Sequence, residues 1–319
     1  MLSYATWDPI RGFWGVRGGG MVTAGDGDGW VILADGSRRW GLYGASGLLL
    51  YSVDESGTGH VLLQHRAPWT HQGGTWGQPG GARNSGESSV SAAIREFVEE
   101  VDGDLGTLSL LGIHRQDHQV WVFDTVLASV PERRPFTPGN PESESIRWIP
   151  VPDVPSMPLL PAFGKVWPEV AAALSEQLLL IVDTTVVPQS ITPGALCHRL
   201  TELAQVGVTD DMLPPDVPLT PLHRRFPSVL LLVDAHSRAA LPAPVHGVDV
   251  VQVSDGSAAA IAQLVSERLP QTRIVVATDH PDTRAQAAAL GVHTAPVSWA
   301  YELAQREESS PVERGSSVT

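Results

Sequence analysis

Gly81-Ala-Arg-Asn-Ser-Gly-Glu87-Ser-Ser-Val-Ser-Ala-Ala-Ile-Arg95-Glu96-Phe97-Val98-Glu99-Glu100 is the stretch from which the rest of the chain can be read. It sets three carboxylates, Glu96, Glu99 and Glu100, on one side of a helical turn directly after a glycine-rich loop, because i,i+3 and i,i+4 neighbours share a face. Val90, Ile94, Phe97 and Val101 recur at helical spacing and are expected on the opposite face, against a core. The pattern predicts a helix over residues 88–102. Like charges at i,i+4 cost roughly 0.2–0.5 kcal/mol per pair, so the bare cluster is unfavourable. A hard divalent cation reverses that sign. Mg²⁺ takes oxygen ligands from carboxylates and substrate phosphates while keeping several waters.

The spacing resembles the Nudix box, the signature of Nudix hydrolases: Gly81, five residues, Glu87, seven residues, then Arg95-Glu96, an apolar residue, any residue, and Glu99-Glu100. The pattern departs at its end, where Asp102 occupies the glycine slot and Gly103 follows one residue late. That glycine is expected to end the helix in a left-handed conformation. A solvated acidic face would not need the loop glycines, Glu87 and Arg95 all at these spacings.

The resemblance implies an α/β fold of α/β/α sandwich type with a mixed sheet, and water attack at phosphorus on a nucleoside diphosphate linked to a further group. It implies Mg²⁺ as cofactor, with Mn²⁺ as a substitute. By position Glu96, Glu99 and Glu100 are the metal ligands, with the carbonyl of Gly80 added, and Arg95 and Glu87 brace loop against helix. Arg66, at a strand end upstream of the loop, reads equally as a phosphate contact or as a surface charge. Trp69 and Trp76 bracket Gly73-Gly74 and read as a stacking surface for a base or as packing anchors. His65 and His71 flank the same approach and read as structural or solvated. For a general base the Glu142-Ser-Glu144 pair lies in a suitable segment, and Glu144 is the candidate. The downstream markers of ADP-ribose, diadenosine polyphosphate and NADH subfamilies are absent from Arg115–Trp121 and beyond. Nucleoside triphosphate "house-cleaning" members remain by exclusion. The first half as a whole looks like an actinobacterial group of Nudix proteins with an added C-terminal domain.

At 319 residues the chain suits two domains. A net charge of −14 argues against a general nucleic-acid or membrane-surface role; the small-nucleotide partner is what the family resemblance implies. Cys197 is the single cysteine, so no internal disulfide forms, in keeping with a cytoplasmic setting. No apolar run reaches the ~20 residues of a membrane span, and residues 1–20 lack the charge and hydropathy of a secretory signal. Those twenty residues, aromatic and glycine-rich, are expected to be a disordered leader or the product of a misplaced start codon.

Residues 21–177 are assigned to the Nudix-like domain. Its strands are expected at Gly44–Val53, His60–His65, Leu108–Ile113, Gln119–Val130 and Ile146–Val151, with a helix over Leu159–Gln177. Residues 178–305 form a second, smaller domain whose apolar strands, Leu179–Val182, Val229–Val233, Val248–Val253 and Arg273–Ala277, are continuous rather than alternating. That pattern suits a parallel sheet buried on both faces, and intervening helices at Pro193–Gln205, Ala258–Leu269 and Asp282–Leu290 complete an α/β alternation. Ile181-Val-Asp183, Val275-Val-Ala-Thr-Asp279 and the closing Ala289–Trp299 resemble PIN-like (NYN-type) nuclease domains, with Asp234 in the same set and Asp255 displaced from it. The family's Asp-Gly-Ala-Asn stands here as Asp183-Thr-Thr-Val186 and its Gly-Asp-Asp as Ser257-Ala-Ala259. The resemblance therefore implies a PIN-like fold without nuclease chemistry, serving packing, homodimerisation or partner binding. Residues 306–319 are expected to be a disordered tail. Two other readings stay open: a nucleotide-binding sensor, and an enzyme that also cuts RNA.

Overall fold

The computed structural model describes residues 25–185, 192–234, 247–253, 257–268 and 272–309. The proposed leader and Asp255 lie outside the described residues, as does the tail beyond Ser309. The chain divides into two compact units between Leu174 and Ser175.

In the first unit β1 (Trp30–Ile32) and β2 (Arg38–Trp40) make an antiparallel hairpin. The main sheet is built from β3 (Ala45–Val53), β4 (Gly59–Arg66), β5 (Trp76–Gly77) and β6 (Gly80–Ala82) before the box helix α1 (Ser89–Glu100). After it come β7 (Val101–Asp102), β8 (Ser109–Asp117), β9 (Val122–Ser129), β10 (Thr137–Pro138), β11 (Ser143–Pro150) and α2 (Pro161–Leu174). The strand order is β11-β4-β3-β9-β8, with β5 on β4 and β6 on β3. β3 and β9 run parallel and the other pairs antiparallel, so the sheet is mixed.

A fork in this sheet positions the site. β3 and β4 pair only where Tyr51–Val53 meets Gly59–Val61. Toward the other end they diverge; β6 takes over the edge of β3 (Gly47↔Gly80) and β5 that of β4 (His65↔Trp76). The Trp76–Ala82 segment thus occupies the opening, and its glycines are what let it fit. A Cβ at Gly80 would lie 2.5 Å from Gly47 Cα and from the Ser46 carbonyl oxygen, both backbone atoms that cannot swing away.

The two helices cover opposite faces. Ser46 Oγ donates to the Ser89 carbonyl at 2.7 Å, placing α1 over the face that carries Ser46, Gln64 and Asp124. His114 Nε2 meets Glu169 Oε2 at 2.9 Å, placing α2 over the other face, since His114 is the cross-strand partner of Thr125 and neighbours alternate along a strand. Leu48, Leu50, Leu62 and Val126 fill the first layer and Leu49, Leu63 and Leu127 the second; all are buried. The α/β/α sandwich is the fold expected from the sequence.

The box helix departs from expectation in two respects. Its buried residues are Ser89, Ala92, Ala93, Phe97 and Glu100, whereas Val90 and Ile94 are only half-buried. The close contact with β3 and β9 selects small residues and turns the helix so that Glu100 points inward rather than away from the core. The helix also stops at Glu100, where Val101 is already extended at φ −125° and enters β7. Gly103, at φ 144°, does not cap it. A Cβ there would meet Phe136 Cδ1 at 2.6 Å, so close packing explains that glycine.

Beneath α1 lies a polar knot that the sequence reading did not identify. Asp124 is fully buried and accepts two hydrogen bonds from Arg115, Nε and Nη2, each at 2.8 Å. Ser89 Oγ donates to it as well, and Arg83 Nη1 stands 3.6 Å away. Burial works to raise the Asp124 carboxyl, and the hydrogen bonds from Arg115 and Ser89 outweigh it, so the group titrates below its ordinary value. Arg83 in turn donates to the Glu87 carbonyl at 3.0 Å, which ties the knot to the box.

The second unit runs β12 (Gln177–Asp183), α3 (Pro193–Val206), β13 (Arg224–Arg225), β14 (Ser228–Val233), β15 (Val248–Gln252), α4 (Ser257–Arg268), β16 (Thr272–Ala277), α5 (Pro281–Ala289), β17 (His293–Ala295) and α6 (Val297–Ser309). Its 5-stranded sheet is parallel throughout, in the order β15-β14-β12-β16-β17. Leu178, Leu180 and Val182 of β12 pack with Leu196 and Leu200 of α3 and Val297 and Leu303 of α6. Leu179 and Ile181 pack on the other face with Ile261 and Val265 of α4 and Ala287 of α5. Burial on both faces is why these strands read as continuous apolar runs. β17 and α6 were not assigned from periodicity, and α6 runs on to Ser309. The Pro-rich segment after Val208 is pinned by buried Arg225, whose Nε donates to Asp210 Oδ1 at 2.9 Å and whose Nη2 donates to the Thr220 carbonyl. Among the described residues no helix is long and apolar enough to cross a membrane.

Asp124→Asn should destabilise the first unit by about 3–5 kcal/mol, the range for breaking a buried ion pair from one side. Chemical denaturation of the variant checks this, and a loss below about 1 kcal/mol would show that the knot contributes little.

Candidate active site

Arg95 organises the box. Its Nε donates to Glu87 Oε1 at 2.9 Å and its Nη2 to Glu87 Oε2 at 2.8 Å, a two-pronged pair, while Nη2 also reaches the Ala82 carbonyl at 2.8 Å. Its Nη1 donates to Glu96 Oε1 at 2.7 Å and lies 3.6 Å from Glu99 Oε2. The hydrogen bonds it donates to Glu87, opposed by burial, raise the guanidinium's already high pKa, so it stays charged. Burial would raise Glu87, yet the Arg95 bonds and the Asn84 N–H bring it below its ordinary value. Arg95 thus ties the loop residues Ala82 and Glu87 to α1.

Glu100 is the opposite case. Its Oε2 accepts from the Gly80 N–H at 3.0 Å and from Gln64 Nε2 at 3.4 Å, in a buried position. Burial pushes its carboxyl up to about 8, against the pull of the Gly80 N–H, and the nearby charges of Glu96 and Glu142 add to the rise while Arg66 opposes it. Glu96 is raised too, first by burial, although Arg95 holds it down. A Cβ on Gly81 would strike the Glu96 carboxylate at 2.4 Å, so that glycine makes room for the acid.

The donor set is all oxygen and electrostatically under-compensated, which suits a hard divalent cation. Among the described residues no three acidic or imidazole groups converge on one point as the side chains stand. Arg95 Nη1 lies against both Glu96 and Glu99, while Glu100 is turned to Gly80 and Gln64. Gly80 contributes its N–H to Glu100 here, a second use of the residue whose carbonyl was expected as a ligand.

The remaining candidates separate by face. Arg66 follows Gln64 by two on β4, shares its face, and its charge acts on Glu100; its Nε donates to the His71 carbonyl at 3.2 Å. Glu144 goes elsewhere. A β-bulge between Ser143 and Ser145 makes it the extra residue in β11, and its Oε2 pairs with His65 Nδ1 at 2.9 Å on the opposite face of β4 from Gln64. Of the Glu142–Glu144 pair it is Glu142 whose charge reaches Glu100. Trp76 is buried and stacked on His65, with ring centroids 4.6 Å apart, and Arg147 lies 5.8 Å from its centroid. It is a packing anchor, not an open stacking surface, whereas Trp69 is 67% exposed.

In the second unit Asp183 is buried at the carboxyl end of β12 and is saturated. Thr185 donates to its Oδ1 through both N–H (3.1 Å) and hydroxyl (2.7 Å), while Ser257 (2.6 Å) and Thr278 (2.8 Å) donate to its Oδ2. Asp279 faces Arg284 at 3.8 Å.

The family description "NUDIX domain" matches residues 46–169. A protein of Mycobacterium tuberculosis, provisionally named 8-oxo-dGTP diphosphatase 3, is 43% identical over 158 residues, which is 47% of this chain and 71% of that protein. A nucleoside triphosphate pyrophosphatase/Nudix hydrolase fusion protein of Bifidobacterium longum is 44% identical over 154 residues, 47% of this chain. The chain spans 32% of that fusion's length. A crystal structure of a Nudix hydrolase from M. smegmatis is 39% identical, with TM-score 0.42, covering 45% of this chain and 92% of that one.

Because the folded Glu100 carboxyl titrates near 8 against an ordinary value of 4.5, the folded state holds a proton that the unfolded chain has released. Its contribution is thus complete below about 4.5 and is lost as pH rises through 8, with a size on the order of a few kcal/mol. Metal-free protein should therefore lose stability to urea from about pH 5 to pH 8, and Glu100→Gln should flatten that decline. Equal declines in the two proteins would refute the assignment.

Proposed function

The chain belongs to the Nudix hydrolase family, and from that premise we propose that it is a Mg²⁺-dependent pyrophosphohydrolase acting on nucleoside triphosphates of the house-cleaning type, with oxidised guanine nucleotides the first to test. The observation that carries this reading is the acidic box itself: Glu96 and Glu99 lie against one rigid guanidinium, Glu100 is buried beside the Gly80 N–H on the same helix end, and Glu96 and Glu100 are raised by burial. Glu96, Glu99 and Glu100 would hold the metal, and Gly80 stands beside them. When bound, a divalent cation there supplies charge neutralisation on the phosphates and a more acidic water.

The chain's own residues do the rest. Glu87 fixes Arg95 from two sides, so the carboxylates can turn toward a ligand while the guanidinium stays in place. Gly80 and Gln64 orient Glu100 from the sheet side. Arg66, whose charge already acts on Glu100, would meet phosphate oxygens. Glu142, not Glu144, is the better general base for the attacking water, since Glu144 is engaged with His65 across the strand.

For the second unit we infer a non-catalytic, PIN-like role in packing, homodimerisation or partner binding. Asp183 has no lone pair left for a metal ion once Thr185, Ser257 and Thr278 have donated to it. Asp183→Asn should lower that unit's stability, and labelled RNA should survive incubation with the wild-type protein and Mg²⁺.

The deciding experiment is product analysis with Mg²⁺ on oxidised and normal nucleoside triphosphates, ADP-ribose, a diadenosine polyphosphate and NADH. Glu99→Gln should abolish turnover with the fold intact by circular dichroism, and unchanged turnover would sink the reading. Glu142→Gln should cost about 10²–10⁴-fold in kcat, the usual worth of a general base, against little change for Glu144→Gln. The reverse order would restore Glu144 to the role. Binding of one nucleotide without cleavage would make the protein a sensor.

A further inference from the structure

A buried side-chain bridge joins the segment that carries Glu142 to the acidic cluster. Glu142 directly precedes β11, and Ser143 is the first residue of that strand. Ser143 pairs across the ladder with Arg66, so its side chain lies on the face that Arg66 shares with Gln64. Its Oγ accepts from Gln64 Nε2 at 2.6 Å, and the same amide nitrogen stands 3.4 Å from Glu100 Oε2. One –NH₂ group thus serves both oxygens, with one proton for each. Gln64, Ser143 and Glu100 are all buried.

Strand pairing by itself does not require this bridge. The Ala67 N–H donates to the Glu142 carbonyl at 2.8 Å, and the Glu142 N–H is held by Asn140 Oδ1 at 2.9 Å, so the backbone beside the bulge is satisfied without it. Two apolar side chains at positions 64 and 143 would fill the same space and strand no polar atom of their own. What the polar pair adds is a fixed position. The amide is clamped between a hydroxyl on β11 and a carboxylate on α1, and it cannot leave either without stranding a buried polar group. The Glu142 side chain is exposed, so its place relative to the cluster is set by its backbone, and Ser143, Gln64 and Glu100 tie that backbone to α1.

We propose that Gln64 and Ser143 are positioning residues that hold the Glu100 carboxylate and the Glu142 segment at one fixed spacing for metal binding and water attack. The proposal rests on the hydrolase reading above and adds how two of its groups, carried on separate elements, are kept together. Neither positioning residue touches the substrate or the reacting atoms. Removing a group that hydrogen-bonds a metal-ligating carboxylate typically costs about 10–100-fold in metal affinity or activity. A reacting group misplaced by about 1 Å costs on the order of 10²-fold.

Calorimetric titration of the full chain with Mn²⁺, beside kcat and KM at saturating metal for the nucleoside triphosphate that the wild type cleaves best, tests the link. Ser143→Ala should weaken Mn²⁺ binding about tenfold and lower kcat by about 10–100-fold while KM stays within about threefold. Ser143→Thr, which keeps the hydroxyl, should recover most of both losses. Gln64→Leu should match Ser143→Ala, and the double variant should lose no more than the worse single one, as expected of a shared interaction. The double variant strands neither bridge partner, so it keeps the test decisive if a single variant folds poorly. Mn²⁺ affinity and kcat close to wild type in a folded Ser143→Ala or double variant, or losses that add, would overturn the link and leave the hydrolase reading intact. Weakened Mn²⁺ binding in variants of a protein that cleaves no nucleotide would leave the link to Glu100 standing and overturn the hydrolase reading instead.

Discussion

The guanidinium of Arg95 is the interaction on which the box depends. Three glutamates within five residues of one helix repel each other, and two of them are carried out of solvent by the packing of α1 on the sheet. Arg95 offsets part of that cost by touching Glu87, Glu96 and Glu99 at once and by bonding the Ala82 carbonyl. Its planar fork is what allows this; an ammonium group is a point charge and could not span the same set. What Arg95 leaves uncompensated is Glu100, inside the sheet fork with one backbone N–H and one amide for company. A buried carboxyl with so few partners costs stability, and a carboxyl perturbed in this way is a candidate functional group.

The fork transmits that local demand to the sheet. For Glu100 to meet the Gly80 N–H, the Trp76–Ala82 segment has to enter between β3 and β4, and it can do so only where side chains are missing on both sides of the contact, at Gly47 and at Gly80. The same insertion buries Trp76 and lays Gln78 across Gly47. The position of Glu100, the packing anchor at Trp76 and the placement of Gln78 are three consequences of one close approach of backbone to backbone. The Asp124 knot serves the neighbouring requirement, holding the start of α1 and Arg83 against β9 and β8.

The second unit shows how similar residues can be put to a different use. A buried carboxylate at the carboxyl end of a parallel strand is the usual starting point for a ligand or metal site in an α/β sheet. Here the ends of β12 and β16 and the start of α4 bring threonine and serine hydroxyls to it, and each oxygen of Asp183 has its fill of donors. A satisfied buried network of this kind specifies a packing arrangement.

Much of the architecture was legible in the chain because it rests on local periodicity. Box spacing located the acids, Glu87 and Arg95; continuous apolar runs announced a parallel sheet; the strand-turn-strand of residues 44–65 reappears as β3 and β4. Other features depended on contacts distant in sequence. Helical spacing proposed Val90 and Ile94 for the buried face, yet the approach of β3 and β9 selected the small residues and Glu100. A bulge in β11, invisible to a two-residue alternation, sent Glu144 to His65 and left Glu142 near the cluster. Asp124 and His114 looked like any polar residue in a strand until Arg115, Ser89 and Glu169 were brought to them. The sequence by itself determined which groups carry charge and how far apart they stand on one element. Tertiary structure decided which of them lose water and which partner each one meets, because desolvation and pairing are properties of surfaces brought together from separate segments.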